Sequence, residues 1–100
     1  MYQTTASNVH AYIIDTGVRP THIEFGGRAT ADVNVLPDGR DGTDCNGHGT
    51  HVAGTIGSAT WGVAKGVRIH GVRVLACDGT GSVSYLILGI DWVTSNHIKP

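Results

Sequence analysis

A chain of 100 residues has room for one small domain. With 40% hydrophobic residues it is not a disordered chain, and 7 Lys+Arg against 8 Asp+Glu leave no basic surface for nucleic acid or an anionic membrane. Charged residues make up only 15%, while 15 glycines are about twice the usual ~7% share, which without a collagen period points to turns and close backbone approaches.

The first residues, Met1 to Asn8, have neither a basic start nor an apolar run, so this chain carries no secretory signal peptide as written. It is expected either to stay inside the cell or to be a piece of a longer precursor. The longest nearly apolar run, residues 85–90, is far short of the ~18–20 residues that span a bilayer, so no membrane is expected as a partner. No repeat or linker divides the chain. Residues 9–14 are apolar, partly β-branched, and run into Asp15-Thr16-Gly17, which reads as a strand ending in a turn. Residues 19–46 alternate short apolar pieces with Pro20, Gly26, Gly27, Pro37, Gly39 and Gly42, mostly loop with one short strand near residues 33–36.

Residues 50–56 are small and apolar, and a helix so rich in Gly and Ala forms only where burial compensates its poor propensity. Residues 67–75 are rich in β-branched side chains and predict a second central strand, broken by Asp78-Gly79-Thr80-Gly81. Val83, Leu86, Ile87, Ile90 and Val93 then share one face of a helix, with Ser82 as its N-cap. Strand, helix, strand, helix argues for an α/β fold with a parallel sheet.

Two places join local structure to reactive side chains. Asp15 ends a buried strand, and the carboxyl edge of an open α/β sheet is where ligands bind; a plain turn Asp hydrogen-bonded to its own backbone fits the same residues. His48 stands between Gly47 and Gly49 at the start of the small-residue helix, which leaves a ring face open. A neutral His oriented by a carboxylate is a standard general base, and Asp15 is the candidate partner. His51, three residues on, reads as a buried, satisfied histidine. A zinc pair is disfavoured, because the metalloprotease helix sets its histidines at i and i+4 with an adjacent Glu, and Glu24 is the only glutamate.

At these residues the chain resembles the subtilisin-like serine proteases, the subtilases. Ala11-Tyr12-Ile13-Ile14-Asp15-Thr16-Gly17-Val18 looks like their aspartate motif, and His48-Gly49-Thr50-His51-Val52-Ala53-Gly54-Thr55 like their histidine motif. The similarity runs on through Trp61-Gly62-Val63-Ala64-Lys65, Gly71-Val72-Arg73-Val74-Leu75 and Gly79-Thr80-Gly81, and is strongest toward the proteinase K-like branch.

The resemblance implies a subtilisin-like parallel sheet flanked by helices, of which residues 1–100 are the N-terminal part. It implies Asp15 and His48 as catalytic residues of a broad-specificity endopeptidase, His51 as non-catalytic, and Gly79, Thr80 and Gly81 as an exposed strand edge that pairs with an extended polypeptide substrate. It also implies a disulfide between Cys45 and Cys77, an extracellular parent protein, and as partners the C-terminal part of the same domain and a pro-segment.

The chain departs from the family in lacking the Gly-Thr-Ser motif of the nucleophile. Ser7, Ser58, Ser82, Ser84 and Ser95 stand in other contexts. An inactive fragment, a pseudoenzyme, or one piece of a nicked protease therefore stands as the alternative. The family often uses structural calcium, and Asp38, Asp41 and Asp44 are candidate oxygen ligands; a solvated polar loop is the simpler reading, since Arg40 repels a cation. No organic cofactor is expected. The strand followed by Gly79-Thr80-Gly81 and a helix also resembles a dinucleotide-binding turn, but Ser84 replaces the third glycine and no acid follows at the required spacing.

Overall fold

Three β-branched or apolar segments pair into one sheet because each has residues that fit a buried, pleated surface. The computed structural model describes residues 9–98. It holds β1 (His10–Asp15), a 3-10 turn (Ile23–Phe25), β2 (Ala29–Asn34), α1 (His48–Gly57), β3 (Arg68–Arg73) and α2 (Val83–Asn96). The strands are all parallel, in the order β1-β3-β2. The central strand, β3, is buried from Ile69 to Arg73. All three strands end together, with Asp15 and Asn34 both in register with Arg73.

The short strand expected near residues 33–36 lies instead at Ala29–Asn34. Pairing decided this, not local composition: Ala29 aligns with Ile69, and the register shifts between Ala31 and Val33. The strand closes where Asn34 Oδ1 accepts the Leu36 N–H at 3.0 Å, an Asx-type turn.

One face of the sheet is covered by α1. Ile13, Val18, Phe25, Ala29, Ala53, Val67 and Ile69 form the buried core there. Small residues let this poor helix former lie close to the sheet, and tertiary packing rather than propensity stabilises it.

On the opposite face lies α2, and here the expected apolar stripe is corrected. Val83, Leu86, Ile87 and Ile90 are 72, 42, 51 and 46% exposed. The helix instead meets the sheet through Gly89, its one buried residue. A Cβ at Gly89 would stand 2.5 Å from Val74 Cγ1, so the missing side chain sets the closest approach, and Tyr85, Trp92 and Val93 beside it are half-buried. Ser82 caps the helix as expected, its Oγ accepting the Tyr85 N–H at 3.4 Å. Beyond the helix, the Ile98 N–H donates to the Tyr12 hydroxyl at 2.8 Å.

Candidate active site

Parallel strands deliver their last residues to one edge, and Asp15 is the last residue of β1. The first residue of α1, His48, arrives at the same edge. Its Nδ1 lies 2.9 Å from both Asp15 carboxylate oxygens. A carboxylate only accepts, so Nδ1 carries the proton and donates it, which leaves the Nε2 lone pair free. The His48 side chain is 66% exposed, while that of Asp15 is 13% exposed. Among the described residues Nε2 has no hydrogen-bond partner. The Thr16 N–H also donates to Asp15 Oδ1, at 2.6 Å, and holds the carboxylate against the strand end.

The start of α1 is positioned by side chains that sequence reading missed. A helix leaves four N–H groups without an intrahelical partner at its N-terminus. Here the N-cap is Gly47, which has no side chain to offer and adopts a φ of +112°. The four donors go elsewhere: Gly47 N–H to Asp44 Oδ1 at 2.8 Å, His48 N–H to Asn46 Oδ1 at 3.1 Å, Gly49 N–H to Thr16 Oγ1 at 2.8 Å, and Thr50 N–H to Asp44 Oδ2 at 2.9 Å.

The Thr16 hydroxyl in turn donates to Asp44 Oδ1 at 2.9 Å. Thr16 thus ties the end of β1, beside Asp15, to the start of α1, beside His48. Burial pushes the Asp44 carboxyl up, but donors on Thr50, Gly47 and Asn46 outweigh it and hold the group at about 2. Gly49 is needed for contact rather than ring access, since a Cβ there would stand 2.1 Å from the Gly17 carbonyl oxygen. Asp44 followed by Asn46 just ahead of a helix was the available signal. It is weak, because capping side chains are ordinarily sought at the N-cap itself.

Cys45 and Cys77 form a disulfide, with Cα atoms 5.0 Å apart. It joins the loop before His48 to the segment carrying Gly79, Thr80 and Gly81, and Asn46 Nδ2 reinforces the link by donating to the Cys77 carbonyl at 2.9 Å. That segment is exposed and follows a tight turn at Cys77 and Asp78, with Thr80 and Gly81 outside any strand of the sheet. Gly79 takes a φ of +87°, the Ala76 N–H donates to the Thr80 carbonyl at 2.7 Å, and Asp78 Oδ1 accepts both the N–H and the hydroxyl of Thr80.

His51 is exposed, not buried as expected. It lines an open groove of about 500 Å³ with His22, Glu24, Phe25 and Trp61, and this groove includes neither Asp15 nor His48.

The acidic loop does not fit calcium. Asp38 Oδ2 lies 2.7 Å from Arg73 Nη1, Asp41 accepts the Thr43 N–H at 2.8 Å, and Asp44 serves α1. Among the described residues no three His, Cys, Asp or Glu side chains gather as a metal-ligand set. Ser7 lies outside the described residues, and among those described no serine hydroxyl bonds the His48 ring.

Residues 7–99 match the Subtilase family. The chain is 57% identical over 99 residues to an extracellular serine proteinase of Thermus sp., covering 99% of this chain and 24% of that protein. It is 55% identical over 86 residues to proteinase T of Parengyodontium album, covering 86% of this chain and 29% of that one. It superposes on the crystal structure of a cold adapted subtilisin-like serine proteinase with a TM-score of 0.90 at 51% identity, covering all of this chain and 37% of the other. The chain thus spans about a quarter of the length of these curated relatives.

Proposed function

The chain belongs to the subtilase family and has its parallel α/β fold, and from that premise we propose that it is the N-terminal part of a secreted, broad-specificity serine endopeptidase, contributing Asp15 and His48 of an Asp-His-Ser triad. The observation that carries this reading is Asp15 at 2.9 Å from His48 Nδ1, with Nε2 unpartnered among the described residues on an exposed ring. In acyl transfer, His48 Nε2 takes the proton of a serine hydroxyl as its oxygen bonds to the peptide carbonyl carbon. It then returns that proton to the leaving amine as the C–N bond breaks, and water repeats the sequence to release the acyl group. Asp15 fixes the tautomer and stabilises the imidazolium. The serine and the oxyanion donors come from the rest of the domain.

Gly79, Thr80 and Gly81 are exposed beside this edge and suit backbone pairing with an extended polypeptide. The outward Leu86, Ile87 and Ile90 of α2 suit a face that the rest of the domain covers. Secretion accords with a relative named as extracellular, and a pro-segment fits the same class of protein.

The test is casein hydrolysis. The 100-residue chain alone is expected to be inactive, and activity blocked by a serine-directed inhibitor is expected when a separately made segment bearing Gly-Thr-Ser is added. Cleavage by the purified chain alone, free of contaminating protease, overturns the reading. No recovery with a segment shown to dock favours the inert-fragment alternative.

A further inference from the structure

The two halves of the disulfide sit in unequal surroundings. Cys45 is exposed on the loop leading into α1, whereas Cys77 is half-buried. Beside Cys77 lies Arg73, which is fully buried. Its Nη2 is 3.7 Å from Cys77 Sγ.

The rest of this guanidinium pairs with one carboxylate. Nη1 stands 2.7 Å from Asp38 Oδ2, an ion pair by distance. Neither Nη1 nor Nε has a partner of hydrogen-bond geometry among the described residues. Such buried, unpartnered donors are rare and call for a physical explanation. A disulfide sulfur is a weak acceptor. A thiolate at the same place is a full anion, and the Arg73 guanidinium, though already beside Asp38, turns Nη2 toward it.

We propose that Cys45 Sγ is a site of thiolation by small thiols, with Cys77 as the leaving thiolate held by Arg73. The attacking thiolate forms a bond to Cys45 Sγ, the Cys45–Cys77 bond breaks, and its electron pair leaves on Cys77 Sγ. The product is a mixed disulfide at Cys45 and a thiolate at Cys77, with no other oxidant or reductant required. The rate of such exchange depends on which sulfur is accessible and on the stability of the leaving thiolate, and both favour this direction. Thiolation removes the covalent tie between the loop before His48 and the segment holding Gly79, Thr80 and Gly81, while the Asn46 hydrogen bond to Cys77 still links them. That this modulates substrate pairing rests on the proposed function; the direction of attack does not.

The test treats the folded, oxidised, full-length protein briefly with reduced glutathione. Acid quenching, alkylation of free thiols and peptide mass spectrometry then assign each sulfur. Glutathione on Cys45 and alkylation on Cys77 are expected in roughly tenfold excess over the reverse. Equal labelling, or glutathione chiefly on Cys77, overturns the proposal. Arg73→Gln is expected to slow opening about tenfold while Arg73→Lys keeps most of the rate, since charge beside the leaving sulfur is what matters. If neither variant folds, the labelling ratio in the unaltered protein decides alone. That ratio reads out whether or not the protein cleaves peptides, so its failure is distinct from failure of the protease reading.

Discussion

Two histidine–aspartate pairs stand at this small sheet, and they differ in what the second ring nitrogen meets. His48 Nδ1 meets Asp15 at 2.9 Å, and His70 Nδ1 meets Asp32 Oδ2 at 2.8 Å. Chemically the two pairs are the same. Their second nitrogens are not. That of His48 has no partner among the described residues, on a side chain 66% exposed. The Nε2 of His70 is 2.7 Å from His10 Nδ1, its side chain is 11% exposed, and its ring stacks on Tyr12 with centroids 4.4 Å apart. A carboxylate on one ring nitrogen is thus an ordinary way to satisfy a histidine. It makes a general base only where the other nitrogen is free to reach a substrate proton. Position in the strands creates the difference: Asp15 ends β1, whereas His70 sits within the central β3 between Tyr12 and Thr30.

The largest expected effect falls on the open pair. In the complete protein, His48→Ala should lower kcat/KM on a chromogenic peptide by roughly 10⁶-fold, and Asp15→Asn by about 10⁴-fold; the first magnitude is that measured for subtilisin, a relative, and the second that of another serine protease, and neither is derived from this geometry. His70→Ala should leave kcat/KM within about threefold in the folded protein, since it touches no reacting group. A comparable loss in a folded His70 variant would erase the distinction between the pairs.

The closed pair should show its weight in stability instead. His70→Ala leaves Asp32 and His10 without their partner and removes the Tyr12 stack, so it should cost about 2–4 kcal/mol by urea denaturation. His48→Ala, on an exposed ring, should cost less than about 1 kcal/mol by the same measurement.

Asp44 sharpens the comparison, because it supports the open pair through α1. Its carboxyl is held at about 2 in the folded chain against an ordinary 3.8. A lowered folded value means stability that is present above the ordinary value and lost as pH falls through the folded one. Asp44→Ala should therefore destabilise by about 1 kcal/mol at neutral pH, a figure discounted for partial solvent exposure. The gap between the two proteins should narrow as pH drops from about 4 toward 2 in acid titrations followed by circular dichroism. A gap constant with pH would mean that the carboxylate charge does not hold the helix start.

The smallest effect belongs to His51, in the same helix as His48 but exposed to the groove. His51→Ala should change stability by less than about 0.5 kcal/mol and leave kcat/KM unchanged. A large loss of turnover there, in a folded protein, would shift the reacting edge toward His22 and Trp61.

Features that depend on near neighbours were legible along the chain. An apolar, partly β-branched run made β1 a strand ending at Asp15, and Ser82 ahead of an apolar pattern marked the start of α2. The motifs around Asp15 and His48 were legible as short strings. Features that depend on residues far apart were not. Asp15 and His48 are 33 positions apart and meet because parallel pairing brings strand ends and the helix start to one edge. The donors of α1 are satisfied partly by Thr16, on another element. The missing Cβ of Gly89 against Val74 chose which face of α2 turns inward, overriding a periodicity that pointed elsewhere. Periodicity records which residues are apolar, but steric contact with a partner surface selects the face that is buried, and that contact exists only once the chain has folded.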